Sequence, residues 1–372
     1  MLTRREFAAA TVVSMLVACG LPDDVFAATE DNVLAAAKAN AAKTGCYIGC
    51  QADRWQLEIP QLAAFVAANF SMLTAGNQLK WIMTQRVPDK YDFTDGDWMV
   101  NFAESHGMKV HGHNLCSNGG NPGWFAKTLT KQNAEKYLTD HIRAVAGRYK
   151  GRIDSWDVVN EPIAIWMKRP DGLYPGPWLD LLGPGYIDLA FHTAASVDPK
   201  AMRVLNVHHV ESDIQSDQQT RVATMALISS LLARRVPIQA IGLESHVRLK
   251  DPFISASRDA WVREIRDLGL EVLVTELDIN DSTATGLIAQ RDAAVGDAYA
   301  TYIKSIVPAA KCKRLIFWTI CDQRNWMDGM KDANYKLQDG SLHRPGLLPP
   351  EMKPGIVLSK VEQAIASVWP PQ

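Results

Sequence analysis

Trp156-Asp157-Val158-Val159-Asn160-Glu161-Pro162 is the stretch from which the architecture can be read. With the residues before it, positions 153–159 form a nearly continuous apolar run. A run without alternation is the mark of a strand buried on both faces, as in a parallel sheet. Pro162 lacks a backbone N–H and ends the ladder. Just ahead of it stand an amide and a carboxylate, Asn160 and Glu161. Runs of the same kind recur at 46–50, 70–74, 108–115, 202–207, 238–243, 270–279 and 314–321. Helix-like amphipathic segments alternate with them at 61–69, 95–106, 132–148, 185–195, 218–234, 257–267, 288–305 and 354–367. Eight strands alternating with eight helices predict an α/β chain folded as a (β/α)8 TIM barrel. An open, doubly wound sheet is the structural alternative. No G-x-G-x-x-G follows the first strand, which disfavours it.

Composition narrows the class of partner. The 372 residues carry 39 Lys+Arg against 41 Asp+Glu, a formal charge of −2, so there is no basic face to displace counterions from nucleic acid. Eleven Trp and nine Tyr supply aromatic surface for packing, or for stacking on flat ligands such as sugar rings. The first residues read as an address. Thr3-Arg4-Arg5-Glu6-Phe7 followed by the apolar run 8–18 is similar to a twin-arginine export signal, too short to span a bilayer. Residues 1–28 are therefore expected to be a leader and 29–372 a single catalytic domain, periplasmic or secreted. Leu16-Val17-Ala18-Cys19 also resembles a lipoprotein box, so a lipid anchor at Cys19 is an alternative to cleavage after Ala27. No later run is long enough for a transmembrane segment. Beyond Cys19, five cysteines lack zinc-type spacing, and Cys46 and Cys50 would lie about 13 Å apart on one strand, so buried thiols are expected.

In this fold the chemistry sits at the C-terminal ends of the strands. Those ends carry Asn77 and Lys80; His113 and Asn114; Asn160 and Glu161; Asn206 and His208; Glu244 and His246; Glu276 and Asp278; and Trp318, Asp322 and Trp326. A polar residue at a loop start is ordinarily just solvated. Seven of eight strand ends carrying such groups is a stronger pattern. Val272-Leu273-Val274-Thr275-Glu276-Leu277-Asp278-Ile279 places Glu276 and Asp278 on one side by period-two alternation. A carboxylate inside such an apolar run needs a partner or a function, because burying it alone costs several kcal/mol. A structural ion pair is the plain reading. Two carboxylates aimed into one barrel mouth also suit glycoside hydrolysis, one as proton donor and one as nucleophile or base.

The chain resembles glycoside hydrolase family 10, the xylanase family of (β/α)8 barrels. The resemblance rests on Asn77-x-x-Lys80-Trp81, Gly112-His113-x-Leu115, Trp156 to Pro162, Ile241-Gly-Leu-x-Ser-His246, Thr275-Glu276-Leu-Asp278-Ile279, and Phe317-Trp318 with Trp326, in family order over roughly residues 32–368. It implies a retaining endo-β-1,4-glycosidase with Glu161 as acid/base and Glu276 as nucleophile. Asn160 would bond the sugar 2-hydroxyl, and His246, backed by Asp278, would orient Glu276. Asn77, Lys80 and His113 would hold the non-reducing side, with Trp318 and Trp326 as a wall. An oligosaccharide or polysaccharide is the implied partner, with no cofactor and no metal. The scattered histidines support no metal site, and His208 and His209 would face opposite ways on a strand.

The departures from the pattern are as informative. The family usually has Glu at Gly76, Trp-His at Ser117-Asn118, Gln at Glu244, and Asn-Asp-Tyr-Asn where this chain reads Asn206-Val207-His208-His209. All fall in the sugar-binding part, so a substrate other than plain xylan, or weak activity on xylan, is expected; a bacterial exopolysaccharide or substituted β-glycan cut by the same mechanism is the alternative to a xylan-type backbone. A non-catalytic carbohydrate-binding barrel is the remaining alternative, and a pure binder would have no need of the retained acid and nucleophile. Glu244 adds a third carboxyl beside Glu276 and should push one of them toward the protonated form, unless a cation such as Arg248 or a basic substrate substituent pairs with it.

Overall fold

A computed structural model describes residues 32–337 and 339–369. The leader residues 1–28 and Cys19 lie outside the described residues. Residues 33–372 form one compact unit. Eight parallel strands close on themselves: β1 (Tyr47–Ala52), β2 (Met72–Ala75), β3 (Lys109–Gly112), β4 (Ser155–Asn160), β5 (Met202–Val207), β6 (Ala240–Leu243), β8 (Glu271–Asn280) and β9 (Arg314–Phe317). β6 pairs with β8 and β9 with β1, which completes the ring. The predicted barrel is therefore present, with each expected apolar run contributing its strand. Every residue of β4 is buried, and so is β8 beyond Glu271. That double-sided burial is why these strands read as continuous apolar runs.

Besides short helices such as Arg54–Leu57 and Pro177–Leu182, two elements beside the barrel strands were not expected from the sequence. The helix Val33–Thr44 precedes β1, and a short strand β7 (His246–Arg248) pairs with β8, His246 opposite Asp278. Three residues carry no visible period, yet their register fixes His246 against Asp278. The eight expected helices are all found, the longest being Ile288–Ala310 and Gln215–Ala233. Cys46 lies one residue ahead of β1 rather than within it, and Cys46, Cys50, Cys116, Cys312 and Cys321 are free thiols. Among the described residues no helix is long and apolar enough to cross a membrane.

Two glycines let the barrel interior close. A Cβ on Gly112 would stand 2.2 Å from the Trp156 ring, and one on Gly242 would stand 2.2 Å from Asn206 Oδ1. Contacts that short exclude any side chain. Gly242 thus leaves room for the Asn206 amide, which proves to be the hub of the barrel mouth. The ladder also shifts register between Asp157 and Val159 in β4 and between Val274 and Leu277 in β8. Such irregularities re-aim side chains. These two lie beside Glu161 and Glu276.

Candidate active site

The strand ends converge as the (β/α)8 reading requires. A cleft of about 280 Å³ is lined by Lys80, His113, Asn160, Glu161, His246, Glu276, Trp318 and Trp326, among others. A neighbouring hollow of about 330 Å³ shares Lys80, Trp318 and Trp326 and adds Asn77, Gly76, Asp53, Gln51, Trp55 and Arg324. Ten of the eleven sequence-predicted residues accordingly line one or other cavity or, as Asp278 does, support one that does. Glu244 lies beneath, 2% exposed.

Glu276 is buried and held from three sides. Asn206 Nδ2 donates to its Oε1 at 2.8 Å, His246 Nε2 lies 3.3 Å from Oε2, and His113 Nδ1 lies 3.7 Å from Oε1. Burial works against its charge, but His113 and His246 outweigh burial and carry its pKa below the usual carboxylate range. His246 is itself fixed by Asp278, whose Oδ1 accepts from Nδ1 at 2.7 Å. Asp278 Oδ2 accepts from Trp326 Nε1 at 2.7 Å and from Thr319 at 3.2 Å. Burial disfavours a charged imidazole, yet Asp278 and then Glu276 raise the His246 pKa well above its ordinary value. The result is an ionised carboxylate against an imidazolium.

Glu161 sits in the opposite environment. Its backbone takes φ of 51°, a left-handed conformation uncommon outside glycine, which turns the side chain away from the strand axis. Asn160 Nδ2 donates to its Oε1 at 3.0 Å, and the side chain stays 32% exposed to the cleft. Burial and the charge of Glu276 raise its pKa, so it tends to keep its proton. A carboxylate pushed down and a carboxyl pushed up across one cleft make an acid–nucleophile pair in chemical terms.

Asn206 and Asp157 were not singled out as site residues from sequence. Asn206 donates to Asn160 Oδ1 as well as to Glu276, each at 2.8 Å, and its own Oδ1 accepts from Thr275 at 2.7 Å. Asp157, fully buried in β4, accepts from His111 at 3.0 Å and from His113 at 2.8 Å. Burial alone would raise it, but His111 and His113 bring its carboxyl down to about 2. The signal was available: an Asp in an all-apolar strand needs partners for the same reason as Glu276.

Two expectations are corrected. Arg248 does not pair with Glu244; its Nε lies 2.5 Å from Asp251 and its guanidinium 3.9 Å from Asp217. β7 directs it to the loop carboxylate Asp251 and toward Asp217 in the first turn of the helix Gln215–Ala233 instead. His208 and His209 do not face opposite ways, for their ring centroids lie 4.5 Å apart. β5 ends at Val207 and His209 takes φ of 55°, so strand alternation no longer applies.

Glu244 is the unusual member. Its Oε1 receives only a long contact from Asn206 at 3.5 Å, and Oε2 lies 3.7 Å from His246. Burial, then the charges of Glu276 and Glu161, hold its pKa well above the ordinary value. A carboxyl with a folded pKa above its unfolded one binds more protons when folded. Its stabilising effect is complete below the unfolded value and falls as pH rises. Glu244→Gln removes that dependence. The variant's Tm is expected to match the native chain's near pH 4 and to exceed it by about 2 °C or more at neutral pH. Thermal denaturation across that range checks this, and a pH-independent difference would count against a protonated Glu244.

The profile of glycosyl hydrolase family 10 matches residues 36–344. The chain belongs to glycosyl hydrolase family 10. A β-1,4-xylanase from Dictyoglomus thermophilum is 37% identical over 212 residues, covering 57% of this chain and 58% of the relative. Endo-1,4-beta-xylanase A from Humicola insolens is 31% identical over 263 residues, covering 69% and 66%. Several curated relatives are longer; the chain spans 58%, 26% and 44% of the first three. Among solved structures, xylanase 10B from Thermotoga petrophila, crystallised with xylobiose, superposes with a TM-score of 0.77 at 25% identity, covering 89% of this chain and 97% of that one. Xylanase XynB from Paenibacillus barcinonensis gives 0.77 at 26%, covering 90% and 99%.

Within the family 10 framework the departures acquire a shape. At Gly76 a Cβ would fall 2.0 Å from Gln51 Nε2, so the Gln51 amide fills the space a Glu side chain would take. Asp53 next to it accepts from Asn77 at 3.2 Å. Ser117, Gly119, Gly120 and Asn121 line the cleft, leaving a low wall where the pattern has an indole. The Asn118 side chain turns away and donates to Tyr186 at 3.0 Å.

Proposed function

We propose that the chain is a retaining β-1,4-glycosidase of the xylanase type, acting on a substituted β-glycan in preference to plain xylan. Glu276 attacks the anomeric carbon while the C1–O bond breaks, and the leaving oxygen takes the proton of Glu161. Water, giving its proton to Glu161, then attacks C1 and releases Glu276. The observation that carries this reading is the pair of opposed environments: His113, His246 and Asn206 favour the charge on Glu276, whereas Glu161 is raised. His246 and Asp278 act as positioning residues for Glu276. Asn160 keeps a second N–H free of its bond to Glu161, suited to the sugar 2-hydroxyl. Asn77 and Lys80, whose Nζ donates to Asn77 Oδ1 at 3.4 Å, fit hydroxyls at the non-reducing end, and Trp318 and Trp326 fit the sugar faces.

The substrate preference rests on the low wall at 117–121, which makes room, and on Gln51 filling the Gly76 space, which replaces a carboxylate contact with an amide. The twin-arginine-like leader supports placing the activity outside the inner membrane. A panel of unsubstituted and substituted β-1,4-xylans and other β-1,4- and β-1,3-glycans, with Glu276→Ala as blank, tests the assignment. Faster release of products from a substituted glycan is expected. Highest activity on unsubstituted xylo-oligosaccharides would overturn the preference, and no product from any glycan would overturn the enzyme.

A further inference from the structure

The acid end of the cleft gathers Glu161 with two groups that have no part in the hydrolytic steps, His208 and Glu244. His208 follows β5, and its Nε2 lies 3.1 Å from the carbonyl oxygen of Ile163. A carbonyl only accepts, so Nε2 carries the hydrogen and Nδ1 a lone pair. That lone pair faces Glu161 Oε2 at 3.8 Å and Glu244 Oε2 at 3.9 Å. All three donor atoms lie within 4.8 Å of one another. Glu244 is 2% exposed, and its Oε1 receives only the 3.5 Å contact from Asn206. Two carboxyl groups and an imidazole lone pair turned toward one point are a set that either a proton or a metal cation can bridge.

We propose that Glu161, His208 and Glu244 form a reversible binding site for a divalent transition-metal ion of the Zn²⁺ class. One neutral imidazole and two carboxylates are a suitable donor set for such an ion, leaving a coordination position for water. Donors bonded at about 2.0–2.1 Å around a tetrahedral ion lie about 3.4 Å apart, so the two spacings to His208 must close by about 0.5 Å and the carboxyl–carboxyl spacing by at most about 1.4 Å. The Ile163 carbonyl supplies the outer bond that orients a ligating imidazole. The neighbouring group Glu244, His246 and Glu276 is a weaker candidate. Both nitrogens of His246 are engaged, by Asp278 at 2.7 Å and by Glu276 at 3.3 Å. The family pattern has Tyr and Gln at positions 208 and 244, and both departures in this chain install metal-ligating side chains. No sequence spacing reveals the trio, because its members follow three different strands.

An ion there occupies Glu161 and displaces its proton, so hydrolysis stops while the metal is bound. That consequence rests on Glu161 being the acid; binding does not. Calorimetric titration of the full chain with Zn²⁺ alone, in a non-chelating buffer, is the test. One ion per chain is expected, with affinity falling about tenfold or more in Glu244→Gln and in His208→Ala, each checked for folding by circular dichroism. Zn²⁺ inhibition of hydrolysis should weaken by the same factor. No binding by the native chain, or equal affinity in the native chain and both variants, would overturn the site.

Discussion

Glu276→Ala is expected to lower kcat on an aryl β-xylobioside by about 10⁴-fold or more. No other group can take over the attack: His113 and His246 are both turned to carboxylates, and Glu244 lies below the cleft and is held toward its protonated form. Loss of a nucleophile removes the intermediate through which both chemical steps pass. The truncated side chain also leaves a small space bordered by Asn206 and His246. Azide entering it is expected to restore turnover and give the α-glycosyl azide, since one displacement inverts the anomeric carbon. Chromatography of the products reads both outcomes. A variant within about tenfold of the native rate would exclude Glu276 from the attack.

Glu161→Ala is expected to differ in kind. On a polysaccharide, whose leaving sugar needs a proton, kcat should fall about 10²–10⁴-fold. On a substrate with a strongly acidic phenol as leaving group the first step should be nearly spared, leaving deglycosylation rate-limiting. The pH profile of kcat/KM carries the sign. On the proposed mechanism, activity requires Glu276 ionised and Glu161 protonated. The lowered pKa of Glu276 places the acid limb early, and the raised pKa of Glu161 extends the alkaline limb upward. Glu161→Ala should abolish the alkaline limb and leave the acid one. An unchanged bell would show that another group donates the proton.

Much of the architecture was legible because buried parallel strands read as uninterrupted apolar runs. The stretch 153–159 and its seven counterparts each returned a strand within a few residues. β7 was not legible, since three residues carry no period and its position depends on pairing with β8. The two carboxylates stood out in sequence for an energetic reason: neither belongs in an apolar strand without partners. Asp157 satisfied the same criterion, and its role emerged only when His111 and His113 were seen to converge on it. Asn206 could not be ranked above any other strand-end amide, because its importance lies in which atoms it reaches across the barrel. Glu244 was recognised as a third carboxyl, but its neighbours were misjudged. Arg248 is near in sequence but pairs with Asp251, whereas His208, 36 positions away, lies 3.9 Å from Glu244 and His246 lies 3.7 Å from it.

The central claim is that Glu276 forms a covalent bond to the sugar. Incubation with a 2-deoxy-2-fluoro β-xylobioside bearing a good leaving group, followed by proteolysis and mass spectrometry, tests it most directly, because the fluorine slows release of the intermediate. One sugar unit per chain on the peptide containing Glu276 is the predicted result. A product of inverted anomeric configuration with no adduct, or an adduct on Glu161 or Glu244, would contradict it.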